Sequence, residues 1–540
     1  SAELCTAKAD FPIEFGVIER LEGMISHEGQ HAGGIIIYPN LSHQLPIKTI
    51  GEDRDKRIVA FDMNMLHDLH YFKFDVLGLE TISVIKETVD SIKAFTGEDI
   101  DLYNIDYDDT KVYDMLSKGY VSGIFQLSNQ ASKVMEQKPT CFNDLIAINA
   151  LIRPGVGDWS EYIARRNGKE WHIHPDRMSY MKDTVGTLTY QEQFLLDAKT
   201  FAGWDIAYSD KHIRKNKDIK NDGDLYGLFM ANSMKRGYHF NDLQEIWKEI
   251  TDAVGSYSFN KSHSASYAMT SYQTAYLKYY YPEHFYAALM SAEKTDGNGQ
   301  IAISQYINEC KQRGIKIIPP DINHSTEKFI VTDRGIAYQI TTISHVGDSA
   351  IAHINDLRPI ASFDDFMERR EKRYARGNVV KNLIKGGAFD CFSTDRSVLL
   401  EQFELSERTP KQIKDGYVVD KYEWNDALKA RWEKEVLGMY LSSHPLEKYG
   451  FKTLESYDDG DWNALQGGEV NDIKIFLDKN GNEMAFVNLD TLFGNLKVII
   501  FSSIWSNLDK RPVFMMGDLV MVKGRRSGKD ILMNTMELLD

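Results

Sequence analysis

Residues 256–285, SYSFNKSHSASYAMTSYQTAYLKYYYPEHF, decide how the rest of the chain is read. Asn260, Lys261, Ser262 and His263 stand just ahead of a long run of helical character. Ser262 or Ser264 is the expected N-cap, because a serine hydroxyl accepts from the unpaired amides of a first turn. Those amides and the helix dipole favour an anion, and Lys261 and His263 lie beside them. Tyr267, Tyr272, Tyr276, Tyr279, Tyr280 and Tyr281 crowd the helix. Such rings can stack on bases, but packing in a core is the ordinary role for most of them.

Another stretch, YFKFDVLGL (71–79), reads as a strand with Tyr71, Lys73 and Asp75 on one face and Phe72 and Phe74 on the other. Gly78 breaks the strand, and a helical pattern starts at Leu79. A lysine and a carboxylate at a strand end are usually a salt bridge. They are also placed for chemistry, but one carboxylate is a poor metal site.

The 540 residues are 43% hydrophobic and 26% charged, enough for several cores. No apolar run approaches the roughly 18–20 residues that span a membrane. The opening SAELCTAKAD has no apolar stretch to suggest secretion, so a cytoplasmic location is expected. Cys5, Cys141, Cys310 and Cys391 are far apart and read as free thiols in a reducing compartment. The chain starts at Ser1. Methionine removal, processing, or cutting from something longer would each explain that. A net charge of −16 argues weakly against a nucleic-acid partner, but binding depends on local patches.

One such patch is SDKHIRKNKDIK (209–220), with Lys211, His212, Arg214, Lys215, Lys217 and Lys220, following YQEQ (190–193). It could grip a triphosphate or a DNA backbone, although a charge run is more often a solvated surface. In GIFQLSNQASKVM, Gln126 precedes a helix; in CFNDLIAINALIRPG, Arg153 ends one. ISHVGDSAIAHI (343–354) reads as a helix end, a turn at Gly347 and a helix start, near to a helix-hairpin-helix.

The rest sets the organisation. Residues 1–30 look helical, and glycine-rich EGQHAGGIIIYP turns at Gly33 and Gly34 into an Ile-rich strand. RIVAFDMNML reads as a strand; residues 83 to 320 are mostly helical; KFIVTD and GIAYQI are short β segments. Residues 396–455 look like a charged helical connector. From 470 the period becomes two, with Lys479-Asn480-Gly481 between two strands; Asn-Gly favours a type I′ hairpin. Several short strands with tight turns suit a small barrel, an OB-fold.

Taken in order, HAGGIIIYP, FKFDVLGL, GIFQLS, CFNDLIAINALIRPG, YQEQ, FNKSHSASYAMTSYQTAYLKYYYPEHFYAALM, IIPPDIN, LIKGGAFD and LGMYLSSHPL resemble the blocks of the alpha subunit of bacterial DNA polymerase III, the C-family replicative polymerases. The resemblance implies an α+β multidomain chain. Its parts would be the end of a thumb (1–30), the C-terminal part of a palm (31–82), helical fingers (83–330), a helix-hairpin-helix region (331–395), a helical connector (396–465) and an OB-fold (466–540). Asp75 matches the third palm aspartate, a ligand of a two-Mg²⁺ site, and Lys73 the lysine beside it. Arg214, Lys215, Lys220, Asn260, Lys261, Ser262, His263, Tyr190, Gln191, Gln193, Gln126 and Arg153 would face the dNTP. Val346, Gly347 and Ser349 of the hairpin and Lys523, Arg525 and Arg526 of the barrel would face primer–template DNA.

The chain also departs from the family. The P-D-x-D-x-D-F block with the other two aspartates does not occur in it. Ser128, Asn129 and Gln130 replace the usual Glu-Ser-Arg after FQL, and His345 replaces the hairpin's first glycine. EQFEL (401–405) is the one faint sliding-clamp candidate. These features suggest a divergent, viral and split member acting in its host's cytoplasm, which would need an N-terminal polymerase half for activity. The alternative is a non-catalytic DNA-binding protein derived from a polymerase.

Overall fold

The computed structural model describes residues 8–22, 24, 29, 31, 33–37, 45–49, 57–76, 78–128, 130–152, 159–216, 218–255, 259–293, 297–416, 418–507 and 511–539. These fall into two units, Ser1–Glu80 and Thr81–Asp540.

The first unit contains helix α1 (Pro12–Leu21), opened by proline at its first position, and two small sheets. Strand β1 (Gly34–Ile37) precedes a ribbon of β2 (Ile47–Thr49) and β3 (Arg57–Val59). Only the start of RIVAFDMNML is a strand. Asp62 then accepts the Met65 amide at 2.9 Å, which caps helix α2 (Met63–Asp68) and ends the strand early. Strand β4 (Phe72–Asp75) pairs antiparallel with β1, Gly34 opposite Asp75 and Ile36 opposite Lys73. The two-residue period therefore puts Lys73 and Asp75 on one face. Ile35, Ile37, Phe72 and Phe74 form the other, each at least half exposed.

The second unit opens within helix α3 (Glu80–Thr96) and is helical through most of the next 230 residues. Helices α4 (Phe142–Leu151), α5 (Gln191–Asp197) and α6 (Lys261–Tyr280) position the candidate residues. α6 is buried along much of its length although its sequence is polar. It stays there because its polar side chains bond to backbone groups of α4 and of neighbouring loops. Ser264 donates to the Ile146 carbonyl (2.6 Å), Tyr272 to Asp106 (2.6 Å) and Ser271 to Phe125 (2.9 Å), and Thr274 accepts the Phe125 amide (3.2 Å). Lys278 donates to the Ser122 carbonyl (2.8 Å) and pairs with Glu309 at 2.7 Å.

Beyond this helical stretch, β5 (Ile317–Ile318), β6 (Ile330–Thr332) and β7 (Gly335–Ala337) form a three-stranded sheet in the order β5-β7-β6. Helix α7 (Asp348–Leu357) follows the expected hairpin turn. Helices α8 (Arg396–Ser406) and α9 (Asp426–Leu437) carry the charges of the expected connector, but their apolar sides are core. Leu277 and Phe285 share one buried cluster with Ile336, Val380, Leu400 and Val436, so this core crosses residues 330 and 395 without a break.

The C-terminal strands β8 (Ala464–Leu477), β9 (Glu483–Thr491), β10 (Gly494–Ile500), β11 (Leu519–Ser527) and β12 (Asp530–Leu538) close a barrel in the order β10-β12-β11-β8-β9. β10 and β12 pair parallel and the other neighbours antiparallel, which is the OB-fold arrangement. The β8–β9 turn is not type I′. Gly481 is left-handed (φ 80°), but Asn480 is not. The Asp478 carboxylate accepts the Asn480 and Asn482 amides at 2.8 and 2.9 Å and shapes a longer loop.

One buried charge cluster ties LIKGGAFD and LGMYLSSHPL together. Arg396, fully buried, forks onto Asp390 of LIKGGAFD (2.8 and 2.7 Å) and reaches Glu433 at 3.2 Å. Glu433, also fully buried, accepts the Leu441 and Ser442 amides of LGMYLSSHPL (3.1 and 2.7 Å). Removing one partner strands the others without water. Arg396→Met should therefore cost about 3–5 kcal/mol in denaturant unfolding. A loss below about 1 kcal/mol would show that the cluster relaxes into solvent.

Candidate functional site

In the first unit, the Lys73 ammonium lies 2.6 and 2.8 Å from the two Asp75 oxygens. That bond, with the Lys73 charge and the His31 ring behind it, holds the Asp75 carboxyl below the usual range. His31 is a member of this group that the sequence did not single out. Its Nε2 is 3.4 Å from the Lys73 ammonium and 3.9 Å from Asp75, and its Nδ1 faces the Gly33 amide at 3.2 Å. Asp62 and Asp68 do not join. Asp62 caps α2, and among the described residues no group of three or more His, Cys, Asp or Glu could hold a metal ion.

In the second unit, two blocks far apart in sequence meet. Tyr190 bridges Phe259 in parallel, and the Gln191 amide donates to the Phe259 carbonyl at 2.9 Å. This sets α5 against the start of α6. The N-cap of α6 is Asn260, not Ser262 or Ser264. Its side chain accepts the His263 amide (2.8 Å) and the Ser262 hydroxyl (2.6 Å), while Ser264 is drawn inward to α4. The expected anion position at this terminus is taken by a carboxylate. Glu192 accepts from Asn260 Nδ2 at 2.8 Å and from the Lys261 amide at 3.1 and 3.0 Å. The Lys261 ammonium lies over the Tyr190 ring, 5.5 Å from its centre. Tyr190 and Gln193 are buried. Gln193 accepts the Thr189 and Tyr190 amides (both 2.8 Å) and donates to Thr184 (2.7 Å), so it braces the turn that carries Glu192.

The basic segment winds as a π-helical turn, Asp210–Arg214, packed on α5. Arg214, Lys215 and Lys220 each have an acidic partner. Arg214 and Lys215 converge on Asp210, the latter at 3.2 Å, and Lys220 pairs with Asp252 at 2.8 Å. The paired Arg214 and Lys215 hold the Asp210 carboxyl low. All three cations keep part of their surface in solvent. Gln126 is exposed in a left-handed conformation (φ 63°) on the loop that Lys278, Ser271 and Thr274 fasten to α6. Burial pushes the Lys278 ammonium down, to about 8, against the pull of Glu309. Arg153 and Lys217 lie outside the described residues.

His345, at the position of the hairpin's first glycine, adopts the left-handed conformation that glycine favours, at φ 67°. Val346 is buried, so only its backbone could meet a phosphate; Gly347 is the N-cap of α7, and Ser349 is exposed in the first turn beside Asp348. On the barrel, Lys523 and Arg525 are exposed, with the Arg525 guanidinium 5.7 Å from the ring of exposed Trp462. Arg526 is tied down instead, donating to the Tyr457 and Gly528 carbonyls. EQFEL does not present a clamp motif, because Phe403 is 1% exposed with Arg370 stacked over its ring.

Among the described residues, no helix is long and apolar enough to cross a membrane. Three family models match the chain. They are the bacterial DNA polymerase III alpha NTPase domain over residues 2–78, the alpha-subunit finger domain over 81–231, and a helix-hairpin-helix motif over 314–399. DNA polymerase III subunit alpha of Aquifex aeolicus is 32% identical over 535 residues, 94% of this chain and 45% of the relative. That of Staphylococcus aureus (strain MSSA476) is 31% identical over 567 residues, covering 97% and 51%. That of Saccharopolyspora erythraea is 29% identical over 547 residues, covering 90% and 45%. Spanning about half the length of these curated relatives, the chain belongs to the bacterial DNA polymerase III alpha-subunit family.

Proposed function

We propose that this chain supplies the last palm strand, the fingers, the helix-hairpin-helix and the OB barrel of a replicative DNA polymerase. The polymerase would join a dNTP to a primer 3′-hydroxyl, with release of pyrophosphate. The observation that carries this reading is the Lys73–Asp75 pair on one face of β4, in a stretch matched by the alpha-subunit model. Lys73 places a cation where reacting phosphates would lie. Arg214 and Lys215 would exchange Asp210 for the triphosphate. The exchange costs little, since partly exposed ion pairs are worth about 0–1 kcal/mol, while a polyanion offers several charge-assisted bonds.

A pair of Mg²⁺ ions needs several carboxylates, and Asp75 belongs to no group of three or more His, Cys, Asp or Glu among the described residues that could hold one. These residues do not make a metal pair's site by themselves. Asp75 would be one ligand, and a chain with the P-D-x-D-x-D-F block would bring the others. The lone carboxylate also favours the second reading, a DNA-binding relic of a polymerase. Primer extension separates the two. The chain alone should extend nothing, the partner should restore synthesis, and Asp75→Asn should abolish it with the complex intact. Failure of every such partner to restore synthesis would favour the relic. In the active assembly, Arg214→Ala should cost about 1.5–3 kcal/mol in dNTP use and leave DNA affinity nearly unchanged. Equal loss of DNA binding would make Arg214 a backbone contact.

DNA would be held by the hairpin turn and by the barrel, where Trp462 offers a ring for a base and Lys523 and Arg525 charges for phosphates. In the full chain, Lys523→Ala with Arg525→Ala should weaken single-stranded DNA binding without sequence preference. The slope of log affinity against log salt should fall by about 1–2. An unchanged slope would remove this face from the DNA path.

A further inference from the structure

The Lys73 ammonium has three protons to donate, and Asp75 receives it through both oxygens. A carboxylate that serves as a metal ligand cannot keep both oxygens on a lysine. If Asp75 were its only partner, Lys73 would swing into solvent just when its charge is needed. The structure supplies a second acceptor. His31 Nε2 stands 3.4 Å from the same ammonium.

The backbone is shaped to allow this contact. Gly34 pairs directly with Asp75, and a Cβ on it would lie 2.9 Å from His31 Nδ1 and 3.0 Å from Lys73 Cε. The imidazole and the lysine stem thus occupy the space that any side chain at position 34 would take. Nδ1 of the ring faces the Gly33 amide at 3.2 Å, so both nitrogens face donors. A neutral imidazole has one free lone pair, and the charged donor has the stronger claim on it.

We infer that His31 is a positioning residue that holds the Lys73 ammonium over the primer-joining site independently of Asp75. The inference rests on the polymerase reading for its purpose, but its central test does not. The full-length chain is labelled briefly with acetic anhydride at pH 8, and Lys73 acetylation is compared by mass spectrometry with that of exposed lysines in the same sample. Asp75→Ala alone should change Lys73 reactivity by less than about threefold, because His31 still holds it. Adding His31→Asn, which reaches only the Nδ1 position, should raise reactivity about tenfold. Adding His31→Gln instead, whose amide oxygen reaches the Nε2 position, should return it to the level of Asp75→Ala alone. If His31→Asn leaves Lys73 as slow as in Asp75→Ala, or His31→Gln fails to restore it, the inference is wrong. In the assembled polymerase, His31→Asn should lower kcat with little change in KM for dNTP, and His31→Gln should lower it less. A pure KM effect would also overturn the inference. Primer extension by Asp75→Asn would remove Asp75 from the metal site, and failure of every partner chain to restore synthesis would sink the polymerase reading; neither would alter the labelling result.

Discussion

A helix with serine, threonine, glutamine and lysine on its buried faces survives in a protein interior only if each finds a partner. α6 meets that condition, and the segments packed around it are organised by how it does so. Its partners are mostly backbone groups of loops, not side chains. Ser122 and Phe125 of one loop, Ile146 of α4 and Asp106 of another are each held at fixed points along the helix. Helix and loops therefore specify one another. A shift of α6 by one residue would leave several buried donors and acceptors unpaired at once, each costing about 1–3 kcal/mol. The loop that carries exposed Gln126 is set by this requirement, although Gln126 itself bears none of it.

The charges follow a different rule. The chain is acidic overall, at −16, and Lys73, Arg214, Lys215 and Lys220 are held by carboxylates of its own. Asp210 collects Arg214 and Lys215; Glu192 fills the start of α6; Asp75 takes Lys73. Such pairs keep the cations oriented and discourage casual anions. They also make ligand binding an exchange, in which a substrate with several negative charges displaces one carboxylate. The buried Arg396–Glu433 pair is of another kind, closed to solvent and structural.

Much of this was legible in sequence, for local reasons. The period of two put Lys73 and Asp75 on one face of β4, and the register with β1 agrees. The change of period near residue 470 announced the barrel. What sequence left unread depends on distant partners. Glu192 caps a helix that starts 69 positions later, and Lys220 meets Asp252, 32 positions further along the chain. His31 looked like part of a turn because its contact with Lys73 is 42 residues away and needs Gly34 to be bare. The two serines after Lys261 obscured the true cap, Asn260, whose side chain sits one residue ahead of the first helical position. EQFEL misled for the opposite reason. Its pattern is local, but Phe403 spends its ring on the core.

The most direct test of the account is an electron cryomicroscopy map of the assembled polymerase on primer–template DNA with a non-reacting dNTP analogue. The account predicts the triphosphate against Arg214 and Lys215, with Asp210 released, Asp75 bound to a metal ion, and Lys73 still beside His31. A triphosphate bound elsewhere, with Arg214 still on Asp210 and no metal at Asp75, would contradict it.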